Sequence, residues 1–108
     1  MSYSRLYGRV AMFESNPHAT DSTPVTAVNT TPTDVTAMPG TGYVTDAKAL
    51  MVRISSGNGL ACTVPVVGSP TEFTCTTPDL SSIGGAGAYR LCLQNPDGAI
   101  TSVPWTAT

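Results

Sequence analysis

Tyr89-Arg90-Leu91-Cys92-Leu93-Gln94-Asn95-Pro96-Asp97-Gly98 is the stretch that decides the fold. Tyr89, Leu91 and Leu93 fall on one face of an extended chain, and Arg90, Cys92 and Gln94 on the other. That is the period of two expected of a half-buried strand. Asn95-Pro96-Asp97-Gly98 then supplies a tight turn, in which Gly98 is free to take positive φ. In the run that follows, Ala99 to Thr108, Val103 and Trp105 share a face.

The same grammar extends toward the N-terminus. Leu50, Val52 and Ile54 alternate with Met51 and Arg53, and Gly57-Asn58-Gly59 is a turn signal. Cys62, Val64 and Val66 are expected to alternate inward before Gly68-Ser69-Pro70 turns the chain. Phe73 and Cys75 share a face against Glu72, Thr74 and Thr76, and a loop follows Pro78. Short strands with a turn every 8–12 residues point to an all-β sandwich or barrel.

Composition agrees. Only 12 of 108 residues are charged, 5 basic and 7 acidic, giving a net charge of -2. A single Lys and two Glu leave little with which to build long solvated helices. The weakly acidic balance argues against nucleic acid or an anionic membrane as partner, and no apolar run is long enough for a membrane-spanning helix. Seventeen Thr and ten Ser imply a surface of hydroxyls rather than charges.

The first 45 residues read less cleanly. Met1 to Phe13 carries two cations and no acid, and Arg5, Gly8 and Arg9 interrupt the apolar run a secretory signal needs. The expectation is synthesis in a host cytoplasm without such a signal. The segment reads as a first strand, a frayed terminus, or an arm that docks on a partner. For the arm, Tyr3, Leu6, Tyr7 and Phe13 are the apolar anchors and Arg5 and Arg9 pair with carboxylates. Glu14 to Gly42 is rich in Thr and Pro, which favours extended or polyproline-like chain. Val25, Ala27, Val28 and Val35 give it some apolar grip, enough for an edge strand at about 24–30. The expected division is an arm at 1–22 and a sandwich at 23–108.

Gly57-Asn58-Gly59, Cys62-Thr63-Val64, Thr74-Cys75-Thr76-Thr77-Pro78, the Gly84-Gly85-Ala86-Gly87 loop before Tyr89, and Asn95-Pro96-Asp97-Gly98 ahead of a short last strand together resemble an IPT/TIG domain. This is the immunoglobulin-like module of plexins, some transcription factors and many bacterial and viral surface proteins. The resemblance covers roughly residues 43–108, or 23–108 if the run 24–34 is the first strand. It implies an immunoglobulin-like β-sandwich with a binding or spacer role, and no catalysis. The family often pairs cysteines at places like Cys62 and Cys75, so these two are either a disulfide or a pair of buried thiols. A disulfide there would add about 3 kcal/mol; without a secretory signal, thiols are favoured. Cys92 is the odd one, on the outer face of its strand.

No residue set reads as a catalytic or metal site. Three Cys and one His lack the paired spacing of zinc ligands. His18 lies in loop-like sequence with no nucleophile motif beside it. Asp34, Asp46, Asp79 and Asp97 adjoin turns. Gly84 to Gly87 lacks the Lys-Ser/Thr ending of a phosphate loop, and Asn29-Thr30-Thr31 matters as a glycosylation acceptor only in a secretory route. No cofactor is expected. The sequence therefore leads to a structural reading: a small decoration protein of a bacteriophage particle, its partner the major capsid protein, another virion protein or copies of itself. The alternative is an adhesion module that binds a host-surface glycan or protein, with Trp105 and the tyrosines as stacking platforms.

Overall fold

In the computed structural model, residues 16–108 are described, and nearly all of their regular structure is β. Nine strands form two sheets. They are β1 (His18–Ala19), β2 (Thr26–Ala27), β3 (Asp34–Thr41), β4 (Lys48–Arg53), β5 (Gly59–Ala61), β6 (Thr63–Ser69), β7 (Glu72–Thr76), β8 (Gly87–Gln94) and β9 (Ile100–Ala107). One sheet has the order β1-β3-β7-β6 and the other β2-β9-β8-β4-β5. Neighbouring strands are antiparallel except β2, which runs parallel to β9.

The inward rows of both sheets make the core. Val35, Met38, Phe73 and Cys75 come from the four-stranded sheet; Ala49, Met51, Tyr89, Leu91, Leu93, Val103 and Trp105 come from the five-stranded one. Burying a Leu or Phe in this layer contributes about 1.5–3 kcal/mol, and the alternation of β8 follows from it. Tyr89, Leu91 and Leu93 are fully buried, while Arg90 and Cys92 are half-buried and Gln94 is exposed. In β4 the core face is that of Ala49 and Met51, leaving Leu50 exposed, as is Ile54 just past the strand end.

The chain changes sheets at Cys62, between β5 and β6. Cys62 is buried as expected, but Val64 and Val66 are 69% and 48% exposed. Their expected inward alternation fails because Val64 takes φ 47° and the β6–β7 register shifts between Thr63 and Val66. An irregular extra residue re-aims every side chain beyond it, so Val67 opposes Phe73 instead and is half-buried.

The Thr/Pro-rich stretch holds more strand than its composition suggests. The expected edge strand at 24–30 is the two-residue β2 at the rim of the five-stranded sheet. Asp34–Thr41, which reads as extended linker, is the eight-residue β3 in the interior of the other sheet, with Val35 and Met38 in the core. His18 and Ala19, grouped with the arm by sequence, pair with Thr41 and Gly40 of β3. Ala19 and Ser22 are buried, so the sandwich includes residues 18–22 and starts earlier than residue 23.

Candidate functional site

Tyr3, Arg5, Leu6, Tyr7, Arg9 and Phe13, the candidate partner-binding residues of the arm, lie outside the described residues. The structure does place the point where the chain emerges from them. The Asn16 carbonyl lies against Gly42, Ala19 N donates to Thr101 Oγ1 over 3.0 Å, and Thr20 N donates to the Pro39 carbonyl over 2.9 Å.

The Asn95–Gly98 turn stands at this same end of the sandwich. It joins β8 to β9, with Gly98 at φ 95°. Its residue types show a turn but not the reach of its first side chain. Asn95 is buried; its Nδ2 donates to the Gly42 carbonyl over 2.9 Å, and its Oδ1 accepts from Val44 N over 3.1 Å. One amide thus ties the β8–β9 turn to the β3–β4 connection, against which Asn16 lies. Only the Asn at the head of an otherwise ordinary turn hinted at this. Beside it, Asp46, Lys48, Gln94, Asn95 and Pro96 line a cleft of about 320 Å³.

At the opposite end, where β4 finishes and β8 begins, the glycine loop holds Arg53. Nη1 donates to the carbonyls of Gly85 (3.2 Å) and Ala86 (3.0 Å) and to the Tyr89 hydroxyl (3.2 Å), and Nε donates to Ser55 Oγ. The guanidinium lies 5.6 Å from the centre of the Tyr89 ring. Gly84 takes φ 125°, a region L side chains rarely adopt, and a Cβ there would displace that guanidinium. The loop binds the chain's own arginine, an arrangement that makes a structural clasp. Nearby, Asp79 accepts from the Ser81 hydroxyl and from Ser81 N, which together hold its carboxyl below its ordinary range.

Cys62 and Cys75 are buried thiols, and Cys92 is a half-buried one. The Cys75 thiol beside Cys62, then burial, push the Cys62 thiol far above its ordinary range; burial raises Cys92 as well. A raised pKa leaves Cys62 and Cys92 little thiolate, the nucleophilic form. His18 is exposed on β1. Among the described residues, no group of three His, Cys, Asp or Glu could hold a metal ion, and no helix is long and apolar enough to cross a membrane. All four described aromatic rings, Tyr43, Phe73, Tyr89 and Trp105, are buried, and Trp105 Nε1 donates inward to the Pro24 carbonyl over 3.0 Å.

What the described surface does offer is two shallow apolar and hydroxyl-lined faces. On the outside of the four-stranded sheet, Asp34, Thr36, Val64, Val66, Thr74 and Thr76 border a groove of about 380 Å³. On the outside of the five-stranded sheet, Lys48, Leu50, Ala61, Cys92, Gln94 and Ile100 border one of about 230 Å³. Such surfaces suit contact with a large partner more than enclosure of a small substrate. No protein-family model, curated protein or solved structure matches the chain.

Proposed function

We propose that this chain is a structural virion protein: a small immunoglobulin-like domain of IPT/TIG type that decorates a bacteriophage particle, grips it through the N-terminal arm and projects the sandwich from it. Its partner is the major capsid protein or another virion protein, and it uses no cofactor and performs no catalysis.

Two features support the immunoglobulin-like type. The strand order β1-β3-β7-β6 against β9-β8-β4-β5 corresponds to the A-B-E-D and G-F-C-C′ sheets of that fold. The Tyr89 hydroxyl, at the start of β8, donates back to the Gly85 carbonyl over 2.7 Å, as a tyrosine corner does at the equivalent strand.

The observation that carries the functional reading is the character of the outer faces. Val64, Val66, Leu50 and Ile100 are 40–69% exposed among Thr and Ser, with few charges to keep neighbours apart. Exposed aliphatic side chains clustered on both sheets favour lasting contact in an assembly. The apolar, cationic arm adds a second grip, and a shell multiplies weak contacts per copy into firm attachment. The glycan-binding alternative loses its described stacking platforms, because those rings are in the core.

The test is a comparison of the full chain with a truncation lacking residues 1–15, which spares β1. Full-length protein is expected at fixed stoichiometry on purified particles, and the truncation to leave most sites empty. Equal occupancy by both would remove the arm as anchor; absence of the full chain from particles would end the virion reading.

A further inference from the structure

The charges of the described strands are sorted by sheet. Lys48 and Arg53 on β4 and Arg90 on β8 belong to the five-stranded sheet, whose strands carry no acid. Asp34 on β3 and Glu72 on β7 belong to the four-stranded sheet, whose strands carry no Lys or Arg. Lys48 and Arg90 sit on the outer face of their sheet around Leu50 and Ile100. Asp34 and Glu72 sit on the outer face of the other around Val64 and Val66. The sandwich therefore has one cationic and one anionic broad side, each with an apolar middle.

The spacing of the two charge pairs also matches. Arg90 lies opposite Val52, four residues along β4 from Lys48. Asp34 lies opposite Thr76, four residues along β7 from Glu72. Each pair is thus one strand over and four residues along. That is about 13 Å along the strand and about 4.8 Å across it. Arg90 is also held in place, its Nε and Nη2 donating to Ser102 Oγ over 3.1 and 2.9 Å and Nη2 to the Ser102 carbonyl over 3.2 Å. A fixed cation loses less freedom on meeting a carboxylate.

The geometry points to a second copy of this chain as the occupant of these faces: copies stack side on side, with Lys48 and Arg90 of one set against Asp34 and Glu72 of the next. The apolar middles meet between the charge pairs, where Leu50 and Ile100 face Val64 and Val66. Because the two faces differ, the contact is heterologous, and each pair of copies leaves one cationic and one anionic face unused. Repetition then yields rows or rings rather than a closed two-fold dimer. This goes beyond the decoration reading and needs no particle to operate.

Sedimentation velocity on the full chain over a concentration series tests it, with two charge-reversed variants: Lys48→Glu with Arg90→Glu, and Asp34→Lys with Glu72→Lys. Wild type is expected to self-associate at low salt and to dissociate as salt is raised. Each variant alone presents like charges on both faces and is expected to associate at least about tenfold more weakly. An equimolar mixture of the two variants restores unlike faces, and association should return. Three results would overturn the proposal: a wild type monomeric at its solubility limit in low salt, variants that associate as wild type does, or a mixture that stays monomeric while both variants keep the wild-type circular dichroism. Should a variant fail to fold, the wild type alone decides: association insensitive to salt, as an apolar arm would produce, contradicts the charged interface.

Discussion

Arg53 Nη1 donates to the Tyr89 hydroxyl over 3.2 Å, and that hydroxyl donates in turn to the Gly85 carbonyl over 2.7 Å. The two side chains therefore share one hydrogen-bonded unit that fastens the glycine loop to the ends of β4 and β8. Arg53→Ala leaves the Gly85 and Ala86 carbonyls without this donor and should destabilise by about 1–3 kcal/mol. Tyr89→Phe should cost about 1 kcal/mol through the hydroxyl alone. Because the two act together, urea denaturation of the double variant should show coupling of about 0.5 kcal/mol or more. Strict additivity would mean the clasp is two independent contacts.

Gly84→Ala attacks the same unit from the loop side. An alanine must adopt φ near 125° and place its Cβ against the Arg53 guanidinium. It should destabilise by about 1–3 kcal/mol, whereas Gly57→Ala, with open space around it, should suffer only the milder backbone penalty. The melting temperatures of the two variants rank them directly.

Asn95→Ala removes the amide that bridges the Gly42 carbonyl and Val44 N. Both partners are then left unpaired near the core, at a cost of about 1–3 kcal/mol. Amide hydrogen exchange should locate the damage: Val44 N should lose protection, although it lies 51 residues from the substitution. Unchanged exchange at Val44 would show that the turn holds without its side chain.

Asn95 also marks where sequence reading ends. The alternations of Tyr89–Gln94 and Phe73–Cys75 were legible because hydrophobic period reports burial on a regular strand. The Asn95–Gly98 turn was legible because its residue types serve a local backbone need. The strand β3 was hidden, since Thr and Pro speak of local extension while its place inside a sheet depends on the distant β7. Val64 and Val66 misled because a single positive φ at a β-branched residue, absent from any pattern, reverses the faces beyond it. The partners of Arg53 and Asn95 are long-range and left no local trace.

Tyr43 is buried edge-on to Phe73, with ring centres 6.3 Å apart, and among the described residues its hydroxyl has no hydrogen-bond partner. Burial pushes its pKa up to about 12 from an ordinary 10.0. The unfolded chain releases this proton at lower pH than the folded one, so the stabilising contribution is complete below pH 10 and fades as pH rises toward 12. Tyr43→Phe should be neutral or slightly stabilising at pH 7. Its loss of stability between pH 10 and 12 should be shallower than wild type by up to about 1.4 kcal/mol per pH unit. Parallel profiles for the two proteins would contradict the buried, unpartnered hydroxyl.

Cys62 and Cys75 are both buried, and the Cys62 thiol is also raised in pKa. Alkylation at neutral pH should therefore modify native protein at Cys92 only, and slowly, with the other two reacting once denaturant is added. Mass spectrometry of labelled peptides reads this out. Fast native labelling at Cys62 would show that the β5–β6 crossover opens.

The claim that this chain is a virion component is tested most directly by quantitative mass spectrometry of purified phage particles from the host that makes it. The account predicts the full-length protein at a fixed copy number related to that of the capsid or tail protein, with occupancy collapsing when residues 1–15 are deleted. Particles free of the protein, with the chain recovered only in the unassembled fraction, would contradict it.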